Sequence, residues 1–477
     1  MSIVSLLIGQ CGNQVGSEFF KTIYDDNFNN CPVYSASSNT SYINESLGTF
    51  FNLPDSDSKP EAKCVQIDME EKVIRQIRCE VNRQYNWRFS KNYFCSKSGS
   101  GNNWAHGYFL NGPPCMEALS NLLRLELEKC DLIDGLITTL SLAGGTGSGV
   151  GTYLFTHLSD DCPKAPILAQ LIWPYRLGEV VTQAYNAVLS LGHLLRSRAP
   201  TGFLLHENDQ LHRACAARHL PKHQRGAARG AHDQIPITEL NRLLGHLLGG
   251  VLQPYSYSSS GALCRRRLSR LLFDLSGPPD YRLYRLHCLP YHPDKEARRF
   301  ATETWPQLQR HSQQLLLTGA CLEDNMNWNI SRKNLHGYQR QPLLACTGVA
   351  RGSGEPGELS WSELTENLLN PEVTFQSWNG SKSIGVSNRV FNGHPRGLFL
   401  ATSGGGLISD PSAPSPLNTD VCAPLRLVRS RAWRLFSASA YLHQYAQYGM
   451  EDPKEAFLEA FAVVEQTIHS YSQLNVS

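Results

Sequence analysis

The segment "SLAGGTGSGVGTYL" at residues 141–154 limits the possible folds most strongly, because it places five glycines after a long apolar stretch. Glycine has no Cβ, so its main-chain N–H groups can approach a ligand closely, and a helix that follows adds the positive end of its dipole. The preceding run "LIDGLITTLSLA" at 132–143 predicts a buried strand. A strand, a glycine loop and a helix predict a phosphate-binding turn; a tight connection without a ligand is the alternative.

A second glycine-rich segment, "GQCGNQVG" at 9–16, follows the apolar run "SIVSLLI" and precedes "SEFFKTI", which has helical spacing. We predict a strand, a tight turn over 9–16 and a helix. Strands that alternate with helices predict an α/β fold with a mostly parallel sheet, which binds ligands at the carboxyl ends of its strands. Neither loop matches GxxxxGK[ST] or GxGxxG, so main-chain amides and a cation would neutralise the phosphates of a nucleotide bound there.

Two further segments carry polar groups suited to such a site. The loop "SGSGNNWAHG" at 98–107 offers the amides Asn102 and Asn103. The apolar run "CVQIDME" at 64–70 ends with Asp68 and Glu70 on the same face of a strand, a spacing that can hold a hydrated Mg²⁺ against phosphate oxygens. Solvated or helix-capping acids are the alternative interpretation of this pair.

Composition narrows the class of protein. The chain has 477 residues, 41% of them hydrophobic and 18% charged, with a net charge of +2, which predicts a soluble globular protein with more than one core and no polyanionic partner. The 14 cysteines form no CxxC pair, so we expect free thiols in a reducing compartment. No apolar run reaches the ~18 residues of a membrane span, and the start lacks the features of a signal peptide, so we expect an intracellular protein without a membrane partner.

The rest of the chain shows less specific patterns. Residues 235–254 predict a long buried helix with Thr238 as its N-cap. The Arg- and His-rich residues 213–235 predict a solvated insert; without interleaved aromatic residues they do not indicate nucleic-acid binding. Residues 351–420, which include a "GGG" triplet, predict long loops. The end of the chain predicts two helices broken near Gly449, with a cap at "MEDP".

Six motifs together resemble the tubulin superfamily: "GQCGNQVG", "SGNNWA", "AGGTGSGVG", "YNAVLSL", "HENDQL" and "LNRLLG", in that order and spacing. The resemblance implies a tubulin-like α/β fold with a parallel-sheet GTP-binding domain at 1–235, a core helix at 236–254, a second α/β domain at 255–425 and a C-terminal helical hairpin at 426–477. It implies GTP or GDP and Mg²⁺ as cofactors, and other tubulins as partners.

The resemblance also implies roles for individual residues. Gln10 and Cys11 match residues near the phosphates and the base, and Glu70 matches an acid linked through water to Mg²⁺. The amide of Asn102 would approach the terminal phosphate, Glu179 the ribose, and Asn208 and Asn241 the guanine edge. The phosphate loop would comprise Ser141, Ala143, Gly144, Gly145, Thr146, Gly147, Ser148 and Gly149. A valine in place of Gly147 is expected to put a side chain where a phosphate must sit.

Some positions depart from the family pattern. Ile237 stands where an aromatic residue commonly stacks on the base, and Arg270 stands where hydrolysing members present an acid to the nucleotide of the next subunit. A guanidinium cannot accept a proton from water, so at most slow GTP hydrolysis is expected; Asp274 could take the role if the helix register differs by four. The chain closes with "SYSQLNVS" rather than a glutamate-rich tail, so recruitment of motors through such a tail is not expected.

The resemblance implies a GTP-binding structural cytoskeletal protein of the kind found in centriole and basal-body triplet microtubules and in cilia, with centriolar and ciliary proteins among its partners. The expected location is the cytoplasm, the centrosome and the base of the cilium, with the nucleus as a further compartment. A GTP-hydrolysing subunit of dynamic cytoplasmic microtubules is one alternative. An NAD-dependent α/β enzyme is the alternative from another class, although His206 and Cys11 form no coherent catalytic set.

Overall fold

A computed structural model shows the chain as two units of packed secondary structure. It describes residues 1–28, 36–53, 58–197 apart from 177 and 179, 200–219, 235–256, 263–264, 268–290 apart from 279, 304–335 apart from 321–322, 324–325 and 332, 337–352, 375–376, 381–409 and 418–474. The first unit comprises residues 1–20, 47–208 and 424–469, and the second comprises 21–46, 209–423 and 470–477. No helix in the described ranges is long and apolar enough to cross a membrane.

The first unit is built on a parallel sheet. Its strands run in the order β9, β8, β7, β1, β4, β6, and every neighbouring pair is parallel. Their bounds are β1 Ser2–Ile8, β4 Cys64–Asp68, β6 Tyr93–Cys95, β7 Ile133–Ser141, β8 Ile167–Trp173 and β9 Thr201–Glu207. Along the chain, β4 and β6 are added on one side of β1, and β7, β8 and β9 are then added on its other side. β1 and β7 therefore flank the point where the strand order reverses. Open α/β sheets bind ligands at the carboxyl ends of the strands at such a point.

Helices and short strands complete this unit. The short strands are β2 Phe51–Asn52, β3 Glu61–Ala62 and β5 Arg88–Phe89. The helices that follow the sheet strands are α3 Glu71–Gln84, α4 Gly112–Leu127, α5 Gly151–Asp161 and α6 Gln183–Leu194; the C-terminal ones are α11 Ala423–Ser437, α12 Leu442–Ala446 and α13 Pro453–Ser472. Two helices, α1 Gly9–Phe28 and α2 Ala36–Phe50, contribute residues to both units. One part of the core is aromatic, with Phe20, Phe51 and Trp87 in edge or tilted contact at 5.6–6.0 Å between ring centroids.

The second unit has a mixed four-stranded sheet in the order β14, β13, β15, β12. β14 Ser381–Ser387 pairs in parallel with β13 Tyr338–Gly352, and β15 Arg396–Ser409 pairs antiparallel with β13 and with β12 Leu283–Leu289. Its helices are α7 Asn208–His219, α8 Ile237–Leu252, α9 Leu268–Leu275 and α10 Trp305–Thr318, and β10 Tyr255–Ser256 pairs antiparallel with β11 Leu263–Cys264. Helix α10 starts with a capping box between Thr304 and Gln307.

Several local predictions need correction. Helix α1 begins at Gly9, directly after β1, so 9–16 is the first part of the helix and not a separate turn. Pro236 occupies the N-cap of α8, which leaves Thr238 inside the helix. Part of the predicted insert at 213–235 is the end of α7, with Ala214 and Cys215 buried, while 220–234 lie outside the described residues. The "GGG" triplet lies within β15, where positive φ angles at Gly404–Gly406 accompany a register shift against β13.

Other predictions are confirmed. The strands at 2–8, 64–68 and 133–141 are present, and the leucines of α8 are buried as its spacing predicts. The carboxylate of Asp452 accepts hydrogen bonds from the N–H groups of Lys454 and Glu455, which is the predicted cap of α13. The C-terminal region, however, forms three helices, because the short α12 precedes Gly449.

Candidate nucleotide site

The two glycine-rich segments touch each other at the carboxyl ends of β1 and β7. Gly9 has a φ of 73°, and a Cβ built there would lie 3.0 Å from the main-chain nitrogen of Gly147. Any other residue would therefore be strained and would collide with the neighbouring loop. Because β1 and β7 are adjacent parallel strands, the start of α1 and the helical segment Thr146–Val150 lie side by side, which brings two helix N-termini to one edge of the sheet.

The loop at 98–107 joins this edge. The hydroxyls of Ser100 and Thr146 are 3.2 Å apart, and a Cβ at Gly145 would lie 2.6 Å from the carbonyl oxygen of Ser100. At Gly144, in contrast, a Cβ would meet nothing closer than 3.6 Å, the side-chain oxygen of Asn102. The structure thus leaves space between Gly144 and Asn102 while the neighbouring glycines are tightly packed.

Asn186 on α6 holds the two loops together. Its amide nitrogen donates to the carbonyl oxygens of Asn102 at 2.8 Å and Ala143 at 2.9 Å, and its side-chain oxygen accepts from the main-chain N–H of Trp104 at 3.0 Å. The hydroxyl of Tyr445 donates to the same oxygen at 2.8 Å. Asn186 is fully buried. It was not predicted as a site residue, although it stands in the motif "YNAVLSL".

The expected effect of a valine at Gly147 needs correction. A Cβ at Gly147 would lie 2.8 Å from the carbonyl oxygen of Ser141, inside the protein and not in the space beside Asn102. Substitution there would disrupt the packing of the loop rather than fill the place of a phosphate. The position whose side chain would enter the open space is Gly144.

The acidic pair at the end of β4 lies beside this edge. One oxygen of Asp68 accepts the N–H of Met69 at 2.8 Å, while the other is buried without a hydrogen-bond partner in the described part of the chain. Burial raises the pKa of Asp68 to about 6, since the two nearby N–H donors lower it less than desolvation raises it. Glu70 is exposed at the N-cap of α3, where its side chain makes no capping hydrogen bond. It lies close to Gly99, since a Cβ built at Gly99 would be 2.6 Å from the carboxylate of Glu70.

This donor set fits a hydrated Mg²⁺. The described residues hold no cluster of three His, Cys, Asp or Glu side chains that would form an all-protein cage. Mg²⁺ usually keeps several waters and takes one or two carboxylates plus phosphate oxygens. The unpartnered oxygen of Asp68 and the uncommitted carboxylate of Glu70 provide that number of acceptors.

The remaining candidate residues are distributed as follows. Gln10 is exposed in the first turn of α1, and the partly buried Cys11 has its pKa raised to about 12 by burial. Asn208 begins α7 directly after β9, and Asn241 is 5% exposed on α8 in the second unit. Glu179 lies outside the described residues. The predicted phosphate loop is half exposed and half buried. Its partly exposed residues are Ser141, Ala143, Gly144 and Thr146, and its buried residues are Gly145, Gly147, Ser148 and Gly149.

Three further residues behave as structural groups. His206 is buried with its Nε2 3.2 Å from the amide nitrogen of Gln170, and burial lowers its pKa to about 3, so it stays neutral. Arg270 on α9 is exposed and donates to Asp274 at 2.9 Å. Asp274 is only 8% exposed at its side chain, so it is held inward by this ion pair rather than presented to a neighbour.

Comparison with known proteins assigns the family. The model of the Tubulin/FtsZ family, GTPase domain, matches residues 2–216, which contain β1 to β9 and both glycine loops. The chain belongs to the tubulin family, and the predicted tubulin-like α/β fold is confirmed. Within this family it is similar to the tubulin delta chains of Mus musculus and Homo sapiens, each 32% identical over 99% of this chain and 100% of the relative. The tubulin beta chain of Bombyx mori is 27% identical over 99% of this chain and 94% of its own.

The family match indicates the class of ligand that the chain binds, which is GTP or GDP. A GTPase-domain match that contains both loops identifies a tubulin-type, GTP-binding cytoskeletal protein. It also accounts for the glycine loops without a dinucleotide, which leaves the NAD-dependent enzyme unsupported.

Proposed function

We propose that the edge of the sheet beside Gly144 and Asn102 binds the phosphates of GTP or GDP. The observation that carries this proposal is the contact between Gly9 and Gly147, which places two helix N-termini side by side at the reversal point of the sheet. Helix N-termini present unpaired N–H groups and a positive dipole end, so they suit an anion without any lysine. The main-chain N–H groups of 143–149 and the amide of Asn102 would contact the phosphates.

Glu70, together with Asp68, would hold Mg²⁺ through its water shell. When bound, the ion would neutralise phosphate charge that the main-chain amides cannot. A bound cation would also stabilise the ionised form of Asp68, whose pKa burial raises to about 6.

The nucleoside would be read by side chains from several elements. Gln10 and Cys11 would lie near the phosphates and base, and Glu179 near the ribose. Asn208 and Asn241 would face the guanine edge, where an amide suits the mixed donors and acceptors because it offers both. Ile237, 61% exposed, would provide less stacking on the base than an aromatic ring.

We further infer that this chain does not activate GTP on a neighbouring subunit efficiently. Arg270 cannot act as a general base, and Asp274 is buried in an ion pair with it. These residues argue against a subunit of dynamic cytoplasmic microtubules, which would need an acid at this position.

The cellular role we propose is that of a structural tubulin of centrioles and basal bodies, acting with other tubulins and with centriolar and ciliary proteins. Its support is the similarity to tubulin delta chains over the whole chain. The proposed location is the cytoplasm, the centrosome and the base of the cilium, with the nucleus as a further compartment.

Two experiments test these proposals separately. Chromatography of the nucleotide released by denaturing the purified protein should give guanine nucleotide; adenine or nicotinamide compounds would contradict the proposed ligand. The tagged protein should colocalise with a centriole marker in ciliated cells, and incorporation along cytoplasmic microtubules would contradict the proposed role.

A further inference from the structure

A cavity of about 100 Å³ lies in the first unit and is lined by residues other than the proposed nucleotide contacts. Its walls come from the 98–107 loop and the segment after it, from α6, and from the C-terminal residues 450–460. Most of the lining is apolar, including Phe109, Leu189, Met450 and Ala460. None of the residues assigned to phosphate, ribose, guanine or Mg²⁺ belongs to this lining.

Trp104 gives the cavity an unused hydrogen-bond donor. The indole stacks on Tyr108, with ring centroids 4.5 Å apart and an interplanar angle of 14°, and meets Phe109 edge-on at 6.0 Å. Although Trp104 is only 1% exposed, its indole N–H has no hydrogen-bond partner among the residues that the structure describes. A buried donor without a protein partner is costly, so a ligand that accepts from it gains a hydrogen bond.

His193 gives the cavity an acceptor. Its Nδ1 lies 3.0 Å from the carbonyl oxygen of Leu189, and because a carbonyl can only accept, Nδ1 carries the proton. Burial lowers the pKa of His193, so the ring is neutral and Nε2 keeps a free lone pair. The centroid of this ring is 5.0 Å from that of Trp104, so the donor and the acceptor belong to side chains in contact.

An ion pair marks the solvent side of the cavity. Arg196 donates to Glu459 at 3.0 Å, and their side chains are 46% and 56% exposed, whereas Trp104 is enclosed. The two charges satisfy each other, so the cavity favours a neutral ligand over an ion.

We propose that this cavity binds a small neutral molecule with one aromatic ring and a hydroxyl group, for which phenol is the simplest probe. The ring would pack against the apolar lining, the hydroxyl oxygen would accept from the indole N–H of Trp104, and the hydroxyl hydrogen would be donated to Nε2 of His193. The volume limits the ligand to a single ring, since an engineered apolar cavity of roughly 150 Å³ holds one benzene.

Saturation-transfer NMR titrations of phenol and toluene against the full-length chain test this proposal. Phenol should bind more tightly than toluene, and Ala456→Phe, which adds a ring to the lining, should raise the phenol Kd at least about tenfold. The matched control is Leu458→Phe, on the same helix but 49% exposed and outside the lining, which should leave the Kd unchanged.

A second variant keeps the test informative if Ala456→Phe fails to fold. His193→Phe retains a ring and removes the acceptor, so it should raise the phenol Kd about five- to tenfold, the loss of roughly one hydrogen bond, and leave the toluene Kd within about twofold. Absence of phenol binding, equal binding of phenol and toluene, or an unchanged phenol Kd in both lining variants would overturn the proposal.

Discussion

Replacing Asn186 with alanine should separate the two loops that form the proposed phosphate site. The fully buried amide makes four hydrogen bonds, two as donor to the carbonyls of Asn102 and Ala143 and two as acceptor from Trp104 and Tyr445. The substitution removes all four at once and deprives the buried donors of Trp104 and Tyr445 of this acceptor. The Asn102 and Ala143 loops would then lose the side chain that bridges them.

The expected loss in the free energy of unfolding follows from the number of hydrogen bonds that the substitution removes. A typical hydrogen bond contributes about 1 kcal/mol net, so four give about 4 kcal/mol. Water that enters the space of the deleted amide would restore part of this, so we expect a loss of roughly 2–4 kcal/mol in the free energy of unfolding. Domain stabilities are about 5–15 kcal/mol, so the loss is a large fraction of the total.

Urea unfolding, followed by circular dichroism, measures the loss, and chromatography of bound nucleotide measures its effect on the site. Ser190→Ala is the matched control: one helical turn later, its hydroxyl makes only a 3.3 Å contact with Ser148 and a bond within the helix, so we expect about 1 kcal/mol and normal nucleotide content. A loss below about 1 kcal/mol in Asn186→Ala, with nucleotide content equal to that of the control, would refute the bridging role.

Three further predictions follow from individual contacts. Gly144→Val should abolish nucleotide binding with little loss of stability, since a Cβ there lies 3.6 Å from its nearest neighbour, an ordinary contact distance. Gly147→Val should unfold at a lower urea concentration, because its Cβ would lie 2.8 Å from the carbonyl oxygen of Ser141. A larger loss of stability in Gly144→Val than in Gly147→Val, together with retained nucleotide binding, would contradict this. The folded-state pKa of His206, about 3, lies below its unfolded value near 6.5, so its contribution to stability is complete above pH 6.5 and is lost as the pH falls. Between pH 6.5 and 5.5 the free energy of unfolding, measured with urea, should fall by about 1 kcal/mol. If it falls equally with pH in His206→Gln, His206 is not the cause. Arg270→Glu should raise phosphate release in mixtures with polymerising tubulin at least about tenfold over Arg270→Ala, and equal rates would show that this position does not control hydrolysis.

Patterns confined to one segment predicted the strands and the buried face of α8. Apolar runs of five to nine residues locate β1, β4 and β7 because a strand inside a parallel sheet is buried on both faces. The start of α1 was missed because glycines usually disfavour helix interiors. In this helix, close packing against β7 requires glycine, since a Cβ at Gly12 would lie 2.3 Å from the carbonyl oxygen of Thr139.

Properties that depend on distant residues could not be read from the sequence. Asn186 follows Asn102 by 84 positions and Ala143 by 43, and only the fold brings them into contact. The direction in which a side chain at Gly147 would point depends on the path of Ser141, which periodicity does not encode. The "GGG" triplet was taken for a loop because triple glycine is common in turns, yet strand pairing with β13 holds it within β15.

We propose that main-chain amides at the ends of β1 and β7 bind a guanine nucleotide. Hydrogen–deuterium exchange of the nucleotide-stripped protein, before and after addition of GTP and Mg²⁺, tests it directly. We expect slower exchange in peptides that cover 9–16 and 141–150, with no change when ATP replaces GTP. Unchanged exchange in both peptides on saturation with GTP would contradict it.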